Sequence, residues 1–341
     1  MGNSLILRGV MGAVFLAASS AMAAAQTPAE FYKGKTIQFG IGYGPGSGYD
    51  LYARMVARFI GKHIPGNPSV VVNNMPGAGS VKLANYLYNV AKKDGTEIGA
   101  TSRGMAFYPL LGGQGAKYDA DKFTWLGSAN DEVSLCVATK KSGVTSIEDV
   151  KKKPLTVGST GQTDDTSQFP KILNGVLGTK FKIVLGYNSG NDVSLALERG
   201  EVEGRCGWSW SSIKATKMDW YKDGTIKLLI QLSLNGDPEL KDVPLVTDLA
   251  KTPEDKQIFR LVFARQVMGR PYLAPPGLPK DRAEALQKAF MDMMKDKDFL
   301  AEAEKAKFEI SPTDGAKIHA LVEEAYRTPK ATVQKVIDLV K

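Results

Sequence analysis

The fold is decided by residues 36–62, which read TIQFGIGYGPGSGYDLYARMVARFIGK. The apolar run at 37–41 predicts a strand, and the glycine-rich residues 42–48 predict a loop. Beyond the loop, Leu51, Met55, Phe59 and Ile60 recur at helical spacing and predict one apolar helix face. The stretch is therefore expected to form a strand, a glycine loop and a helix.

The loop has two interpretations, which the residues alone leave open. Ser47 and Asp50 have the spacing of a capping box, so their role could be only to begin the helix. Alternatively, the glycines expose backbone N–H groups at the positive end of the helix dipole, which favours a bound anion. The glycine spacing fits neither the G-x-G-x-x-G of dinucleotide-binding folds nor the Walker A sequence of P-loop NTPases.

The plan of strand, small polar loop and helix recurs along the chain. In the first half it returns at 69–92 and leads into a strand at 97–101, and Ser102 and Arg103 follow that strand at the same edge. In the second half it returns at 155–177 and at 181–199. Alternating strands and helices predict parallel sheets, whose loops gather at the edge where the strands end. Each half is therefore expected to present its own set of free N–H groups at that edge.

Residues 1–25 have the three-part pattern of a secretory signal peptide: one cationic residue, Arg8, an apolar segment at 10–18 and a run of small residues. We expect cleavage after Ala23 or Ala25 and export to the periplasm. The apolar segment is too short to span a bilayer comfortably, so a membrane anchor is the weaker interpretation. Roughly 316 residues remain, more than one core usually holds, which predicts two domains.

Charge and metal-ligand chemistry argue against several functions. The formal net charge of +8 comes from dispersed Lys and Arg, without the aromatic-interleaved basic stripe of a nucleic-acid-binding protein. Two cysteines and two histidines without ligand spacing predict no metal site, and we expect no cofactor. Cys136 and Cys206 either pair, as an oxidising compartment allows, or remain two buried thiols, and the sequence does not decide between these.

Four motifs, in order, resemble those of a known family. Residues 74–79 (NMPGAG) are close to the Asn-x-Pro-Gly-Ala-Gly-Gly of the Bug family, the extracytoplasmic solute-binding receptors of tripartite tricarboxylate transporters. Residues 45–50 (PGSGYD) resemble its Pro-Gly-Gly-x-x-Asp loop, with Ser47 for the second glycine. Residues 158–161 (GSTG) are similar to its Gly-Ser-x-Gly, and residues 187–190 (YNSG) to its Tyr-Lys-Gly-Gly, with two departures. The resemblance extends over almost the whole mature chain.

The resemblance implies an α/β, type II two-domain periplasmic-binding-protein fold that closes on a small carboxylate in the interdomain cleft. Residues 26–129 and 232–341 would form domain 1, with 130–231 inserted as domain 2. The resemblance also implies that the ligand passes to the membrane permease subunits of a tripartite tricarboxylate transporter. We expect a monomer that is not an enzyme.

One region departs from the family pattern. The family often carries a His shortly after its Gly-Ser-x-Gly loop, whereas Thr166 and Ser167 occupy that region here, preceded by Asp164 and Asp165. Two acids near the pocket would repel a dense polyanion such as citrate unless they point away. The expected ligand is therefore a mono- or dicarboxylate, or one that also bears a donor group.

The residues expected to contact the ligand come from both halves: Gly46, Ser47, Asp50, Ala78, Ser102, Ser159, Thr163, Asp164, Tyr187 and Asn191. Among them, Asp50 could act indirectly by holding its loop. Trp208 and Trp210 could wall the pocket, although buried aromatics more often fill core.

An exported α/β hydrolase or transferase is the alternative function. Such an enzyme needs a nucleophile and a base, but the histidines of the sequence, His63 and His319, adjoin no glycine loop. No G-x-S-x-G elbow occurs in the sequence, and the nearest match, GWSWS at 207–211, lacks the final glycine. The sequence therefore favours a binding protein over an enzyme.

Overall fold

The computed structural model describes residues 26–162 and 164–341. The predicted signal peptide at 1–25, its cleavage after Ala23 or Ala25, and the predicted ligand contact Thr163 lie outside the described residues. Within the two described ranges, every helix is too short or too polar to cross a membrane.

The secondary structure alternates strands and helices over most of its length. The strands are β1 (Thr36–Ile41), β2 (Ser69–Asn74), β3 (Glu97–Ala100), β4 (Thr124–Ser128), β5 (Ser134–Thr139), β6 (Leu155–Gly158), β7 (Phe181–Val184), β8 (Gly204–Ser209), β9 (Ile226–Leu232), β10 (Pro271–Ala274) and β11 (Thr313–Asp314). The helices are α1 (Pro28–Tyr32), α2 (Gly48–His63), α3 (Val81–Asn89), α4 (Ile147–Lys152), α5 (Asp165–Leu177), α6 (Gly190–Arg199), α7 (Trp210–Thr216), α8 (Met218–Lys222), α9 (Pro253–Phe263), α10 (Lys280–Met293), α11 (Lys297–Lys305), α12 (Gly315–Tyr326) and α13 (Lys330–Val340).

The first sheet combines parallel and antiparallel strands. β1 lies between β2 and β3 and pairs parallel with both, as the repeated strand–loop–helix pattern predicts. β10 comes from much later in the chain and pairs antiparallel with β3 and β4, and β11 pairs antiparallel with β4. The antiparallel pairing of β4, β10 and β11 is an addition to the parallel units, and the sequence pattern does not predict it. Local periodicity identifies the repeated units but carries no signal for strands that join from a distant part of the chain.

The second sheet repeats this arrangement, in the order β7–β6–β8–β5–β9. β6 pairs parallel with β7 and β8, while β5 pairs antiparallel with β8 and β9. Loops that follow parallel strands gather where those strands end, so each sheet presents a loop edge formed by its own βα units. These two loop edges face each other, as the contacts described below show.

Helix α2 forms where the sequence predicts it but buries a somewhat different face. The buried apolar residues are Tyr52, Ala53, Met55, Val56 and Ile60. Leu51 and Phe59, which were expected on that face, are only partly buried. Their positions adjoin the buried face. The helix itself is therefore predicted correctly, but the direction in which its apolar face points differs slightly from the prediction.

A continuous apolar core links the two sheets. It includes Trp125 from β4, Phe169 from α5 and Phe263 from α9, and the rings of Phe169 and Phe263 lie 4.9 Å apart. Helix α13 packs on α5 and on α9, so the end of the chain also joins the two halves. The predicted domain boundaries at 129/130 and 231/232 stay a prediction.

Cys136 on β5 and Cys206 on β8 form a disulfide between neighbouring strands of the second sheet. Both residues are fully buried. Of the two alternatives that the sequence leaves open, the structure therefore selects the disulfide.

Candidate functional site

The loops that follow β1 and β6 meet across the gap between the sheets. The Tyr43 hydroxyl donates to Asp164 Oδ2 at 2.7 Å, and both side chains are buried. At Gly161, an added Cβ would lie 2.6 Å from the backbone nitrogen of Gly79. Glycine at position 161 is therefore required by a backbone-to-backbone contact between the halves.

Between these loops lies a cavity of about 30 Å³, which we call the central cavity. Its lining residues come from both halves and are Tyr43, Ser47, Gly48, Tyr49, Arg103, Thr160, Asp164, Thr166, Gly190, Arg205, Gly207, Ser209, Ser212 and Arg270. A cavity of this volume has room for about two water molecules, or for a group of similar size such as a carboxylate. Apart from three glycines, the lining residues carry polar or charged side chains, and three of them are arginines.

A second cavity of about 130 Å³, the outer cavity, lies beside the first. It is lined by Gly42, Tyr43, Gly77, Ala78, Gly79, Thr160, Gly186, Tyr187 and Asn188. Tyr43 and Thr160 line both cavities. The two cavities are therefore neighbours that share a wall.

The Asp50 carboxylate holds the first glycine loop in place. It accepts the Gly46 N–H at 2.9 Å, the Asn74 side-chain N–H₂ at 2.7 Å and Arg54 Nε at 3.0 Å. The Ser47 hydroxyl accepts the Asp50 N–H at 3.3 Å, so only one of the two bonds of a capping box involves this pair. The Gly46 N–H, expected to be free for a ligand, is thus used by Asp50, and the indirect role expected of Asp50 fits this geometry.

Arg103 joins the two halves through a buried ion pair. It follows β3, and its Nε donates to Asp165 Oδ2, at the start of α5, at 2.6 Å. Its remaining nitrogens donate to the Gly269 carbonyl and to the Ser134 and Ser209 hydroxyls. Arg103 lines the central cavity, but its hydrogen-bonding capacity is largely used by protein groups.

Arg265 and Arg270 precede β10 and approach the same region. Arg265 Nε lies 3.2 Å from Asp165 Oδ1, so Asp165 lies between two guanidinium groups. Arg270 pairs with Glu132 at 3.3 Å and stacks over the Tyr49 ring, with 4.7 Å from its Cζ atom to the ring centroid. Its side chain is 1% exposed, and its Nε has no hydrogen-bond partner among the described residues.

Arg205 on β8 is bonded differently from the other three arginines. Its Nη1 donates to the Gly190 carbonyl at 2.9 Å, and its guanidinium lies over the Trp208 ring, 4.5 Å from the centroid. In the described part of the chain no carboxylate lies within ion-pair distance of it, and its buried Nε lacks a hydrogen-bond partner. Burial lowers the pKa of Arg205 to about 10, which Asp164 offsets only in part. The group remains cationic at neutral pH.

Asp164 is the carboxyl group of the central cavity. Its Oδ2 accepts from the Tyr43 hydroxyl at 2.7 Å and from the Thr160 hydroxyl. Burial raises the pKa of Asp164, and the neighbouring charge of Asp165 raises it further, against the lowering effect of the two hydrogen bonds. Burial also raises the pKa of Tyr43, which therefore stays a neutral donor.

The residues expected to contact a ligand fall into three groups. Ser47 and Asp164 line the central cavity, and Ala78 and Tyr187 line the outer cavity. Gly46 and Asn191 face each other at the exposed rim, where an added Cβ at Gly46 would lie 3.8 Å from Asn191 Nδ2. Asp50, Ser102 and Ser159 are buried behind the loops, where Ser102 Oγ accepts the Gly104 N–H and Ser159 Oγ bonds Thr166 Oγ1.

Sequence reasoning misses the arginines of the site. Arg205 and Arg270 are distant in sequence and both line the central cavity, because β8 and the residue before β10 reach the same gap. Arg265 reaches the region through Asp165. A signal exists only for Arg205, because a cation within the otherwise uncharged strand GRCGWS requires a partner or a function when buried. Trp208 and Trp210 are buried core residues, and Trp208 contributes only by stacking on Arg205.

The histidines lie away from both cavities. His63 Nε2 pairs with Asp296 at 2.8 Å, and His319 lies beside Glu323 on α12. Neither lines the central or the outer cavity.

Solved structures match this fold, although no family profile and no curated protein matches the sequence. The periplasmic binding protein BugD superposes with a TM-score of 0.70 at 19% identity, over 90% of this chain and 97% of that one. MatC from Rhodopseudomonas palustris, solved with bound malate, gives 0.69 at 18% identity over 90% and 99% of the two chains. Another R. palustris protein, solved with adipate, gives 0.69 at 17% identity over 90% and 97%. The predicted two-domain periplasmic-binding-protein fold is thereby confirmed.

Proposed function

We propose that this chain is an extracytoplasmic solute-binding protein of the Bug family, which captures a small organic carboxylate between its halves. The observation that carries the proposal is the central cavity, which both halves enclose and which three guanidinium groups line. A guanidinium group offers N–H donors in a planar fork that matches a carboxylate. The cavity is therefore suited to the head group of an organic acid.

The binding step follows from the contacts between the halves. Tyr43 and Asp164, Arg103 and Asp165, and the backbones at Gly79 and Gly161 come together only when the gap is closed. A ligand that contacts both walls binds the closed form more tightly than an open form, so it shifts the equilibrium toward closure. Closure removes the carboxylate from water and strengthens its interaction with the buried cations.

Three further points support this function. The order of four motifs resembles the Bug family, BugD has the same fold, and the similar structures include proteins solved with malate and with adipate. With the sequence pattern at 1–25, we propose a periplasmic protein that delivers its ligand to the permease of a tripartite tricarboxylate transporter. We propose that it acts as a monomer.

The enzyme alternative receives no support from the site. The central cavity contains an acid, two tyrosines and arginines, but neither histidine lies near a serine or threonine of its lining. A nucleophilic hydrolase usually activates its hydroxyl through a neighbouring histidine. The Thr160 hydroxyl donates to Asp164 instead, and the same carboxylate oxygen also accepts from Tyr43 in the contact between the halves. Turnover of carboxylic esters by the purified protein would restore that alternative.

A thermal-unfolding panel tests the proposal. Small carboxylic acids are compared with their neutral amides, so that lactate is matched by lactamide and malate by malamide. At a ligand concentration of one hundred times Kd, a binding acid should stabilise the folded protein by about 2.7 kcal/mol, and its amide should not. Native mass spectrometry of freshly purified protein adds a check, since a tightly held acid should co-purify. Equal, negligible shifts for all acids and amides would contradict the proposal.

A further inference from the structure

The charges around the central cavity do not balance. Four buried or partly buried guanidinium groups, those of Arg103, Arg205, Arg265 and Arg270, approach it. Among the residues that the structure describes, three carboxyl groups approach them: Asp164, Asp165 and Glu132. With all groups ionised, one positive charge is left in excess.

Of these four arginines, one lacks a direct carboxylate partner. Asp165 forms ion pairs with both Arg103 and Arg265, and Glu132 forms one with Arg270. That leaves Arg205, which has no carboxylate within ion-pair distance in the described part of the chain. A partly buried cation without a direct counterion is costly, so the folded protein gains from an anion placed beside this group.

Arg205 is also held in a fixed position. The Gly190 carbonyl accepts from one terminal nitrogen, the Trp208 ring supports the guanidinium face, and both contacts lie within the second half. An added Cβ at Gly190 would lie 2.3 Å from Arg205 Nη2, so the glycine at the start of α6 leaves space for the guanidinium. A fixed donor loses little entropy when a ligand binds.

We infer that Arg205 binds the ligand carboxylate and that the single excess charge makes the site selective for acids with one carboxylate over those with two or three. The inference rests on the proposed function and narrows its ligand class. Asp164 enforces the selectivity, because its carboxyl group faces the same cavity and opposes a second anionic group. The uncharged remainder of the ligand lies in the outer cavity, which shares Tyr43 and Thr160 with the central one.

Isothermal titration calorimetry with lactate, malate and citrate tests the inference, because these hydroxy acids carry one, two and three carboxylates. They also increase in size, and the Asp164→Asn variant described below separates charge from size. Wild-type protein should bind lactate at least roughly tenfold more tightly than malate, because a second anionic group beside Asp164 is repelled, and citrate most weakly. Arg205→Gln should lose roughly 10- to 100-fold in lactate affinity, the range expected for a charge-assisted hydrogen bond, and Arg205→Lys should recover part of the loss. Arg199→Gln is the matched control: Arg199 is 68% exposed on α6 and pairs only loosely with Glu201, so lactate affinity should not change.

A second variant tests the charge count without removing Arg205. Asp164→Asn keeps an oxygen acceptor for Tyr43 and removes one negative charge, so malate should gain affinity relative to lactate. The inference would be overturned if the wild type bound malate as tightly as lactate, or if Arg205→Gln left the affinity for lactate unchanged. Either result would leave the proposed function intact. Absence of binding by all three acids, together with no shift in the acid–amide panel, would overturn the proposed function as well.

Discussion

Asp165→Asn is expected to destabilise the protein strongly, because Asp165 is the shared counterion of two buried arginines. Its carboxylate accepts from Arg103 Nε at 2.6 Å and lies 3.2 Å from Arg265 Nε, and each of the three side chains is no more than 2% exposed. Removing one partner of a buried ion pair typically costs about 3–5 kcal/mol, since the other charge is left uncompensated. The asparagine oxygen still accepts one N–H, so we expect a loss near the lower end, about 3 kcal/mol.

The assay is urea unfolding followed by circular dichroism, with the slope of the transition checked for a change in cooperativity. Because Asp165 belongs to the second half and both arginines to the first, the radius of gyration from X-ray scattering should also increase. Asp292→Asn is the control, since Asp292 forms an exposed ion pair with Lys288 on α10 and should lose less than about 1 kcal/mol. A loss of less than about 1 kcal/mol for Asp165→Asn would refute the role of this ion pair.

Three further substitutions test other features of the structure. Burial raises the pKa of Asp164, so its contribution to stability is complete below the ordinary value of 3.8 and is lost as the pH rises through its folded-state pKa. Asp164→Asn should therefore gain stability relative to wild type between acid and neutral pH in urea unfolding, and a difference independent of pH would contradict this. Replacing Cys136 and Cys206 by alanine, a pair separated by 70 residues, should lower the free energy of unfolding by about 4 kcal/mol, and an unchanged urea midpoint would count against the disulfide. Gly161→Ala places a Cβ against the backbone of the opposite half, an overpacking that should weaken carboxylate binding about tenfold in calorimetry. Gly236→Ala, whose added Cβ would have only ordinary contacts, should bind as wild type does, and equal affinities of the two variants would contradict close contact at the gap.

The repeated units of the fold could be predicted from local sequence. β1 and the start of α2 follow from an apolar run, a glycine loop and the N-cap residue Ser47, all within one short stretch. The antiparallel strands could not be predicted in this way. In the first sheet, β10 pairs with β3 and β4, which lie more than a hundred residues earlier in the chain. Such pairing depends on the three-dimensional path of the chain, which hydrophobic periodicity does not record.

The residues of the candidate site also fall into those that the sequence predicts and those that it does not. Ser47 and Asp164 were predicted because they flank glycine or polar loops at helix N-termini, and both line the central cavity. The arginines of the site are not predicted, because none of them belongs to a recognisable sequence motif. Their importance depends on burial and on the pairing of charges: Arg270 pairs with Glu132, whereas Arg205 has no carboxylate partner among the described residues.

The groups that are candidates for binding the ligand also differ from those that the sequence predicts: they are side chains and not backbone N–H groups. The sequence predicted that free N–H groups of the glycine loops would hold the ligand, yet Asp50 accepts the Gly46 N–H and Ser80 Oγ accepts the Ser102 N–H. These bonds stabilise the loops themselves. The cationic side chains of the central cavity are therefore the stronger candidates for binding an anion.

The most direct test is a crystal structure of the protein grown with lactate, interpreted at the central cavity. The account predicts a carboxylate within hydrogen-bond distance of Arg205, enclosed by residues of both halves, with the rest of the ligand toward Tyr187. A lactate bound elsewhere, or one held in the gap without contact to Arg205, would contradict it.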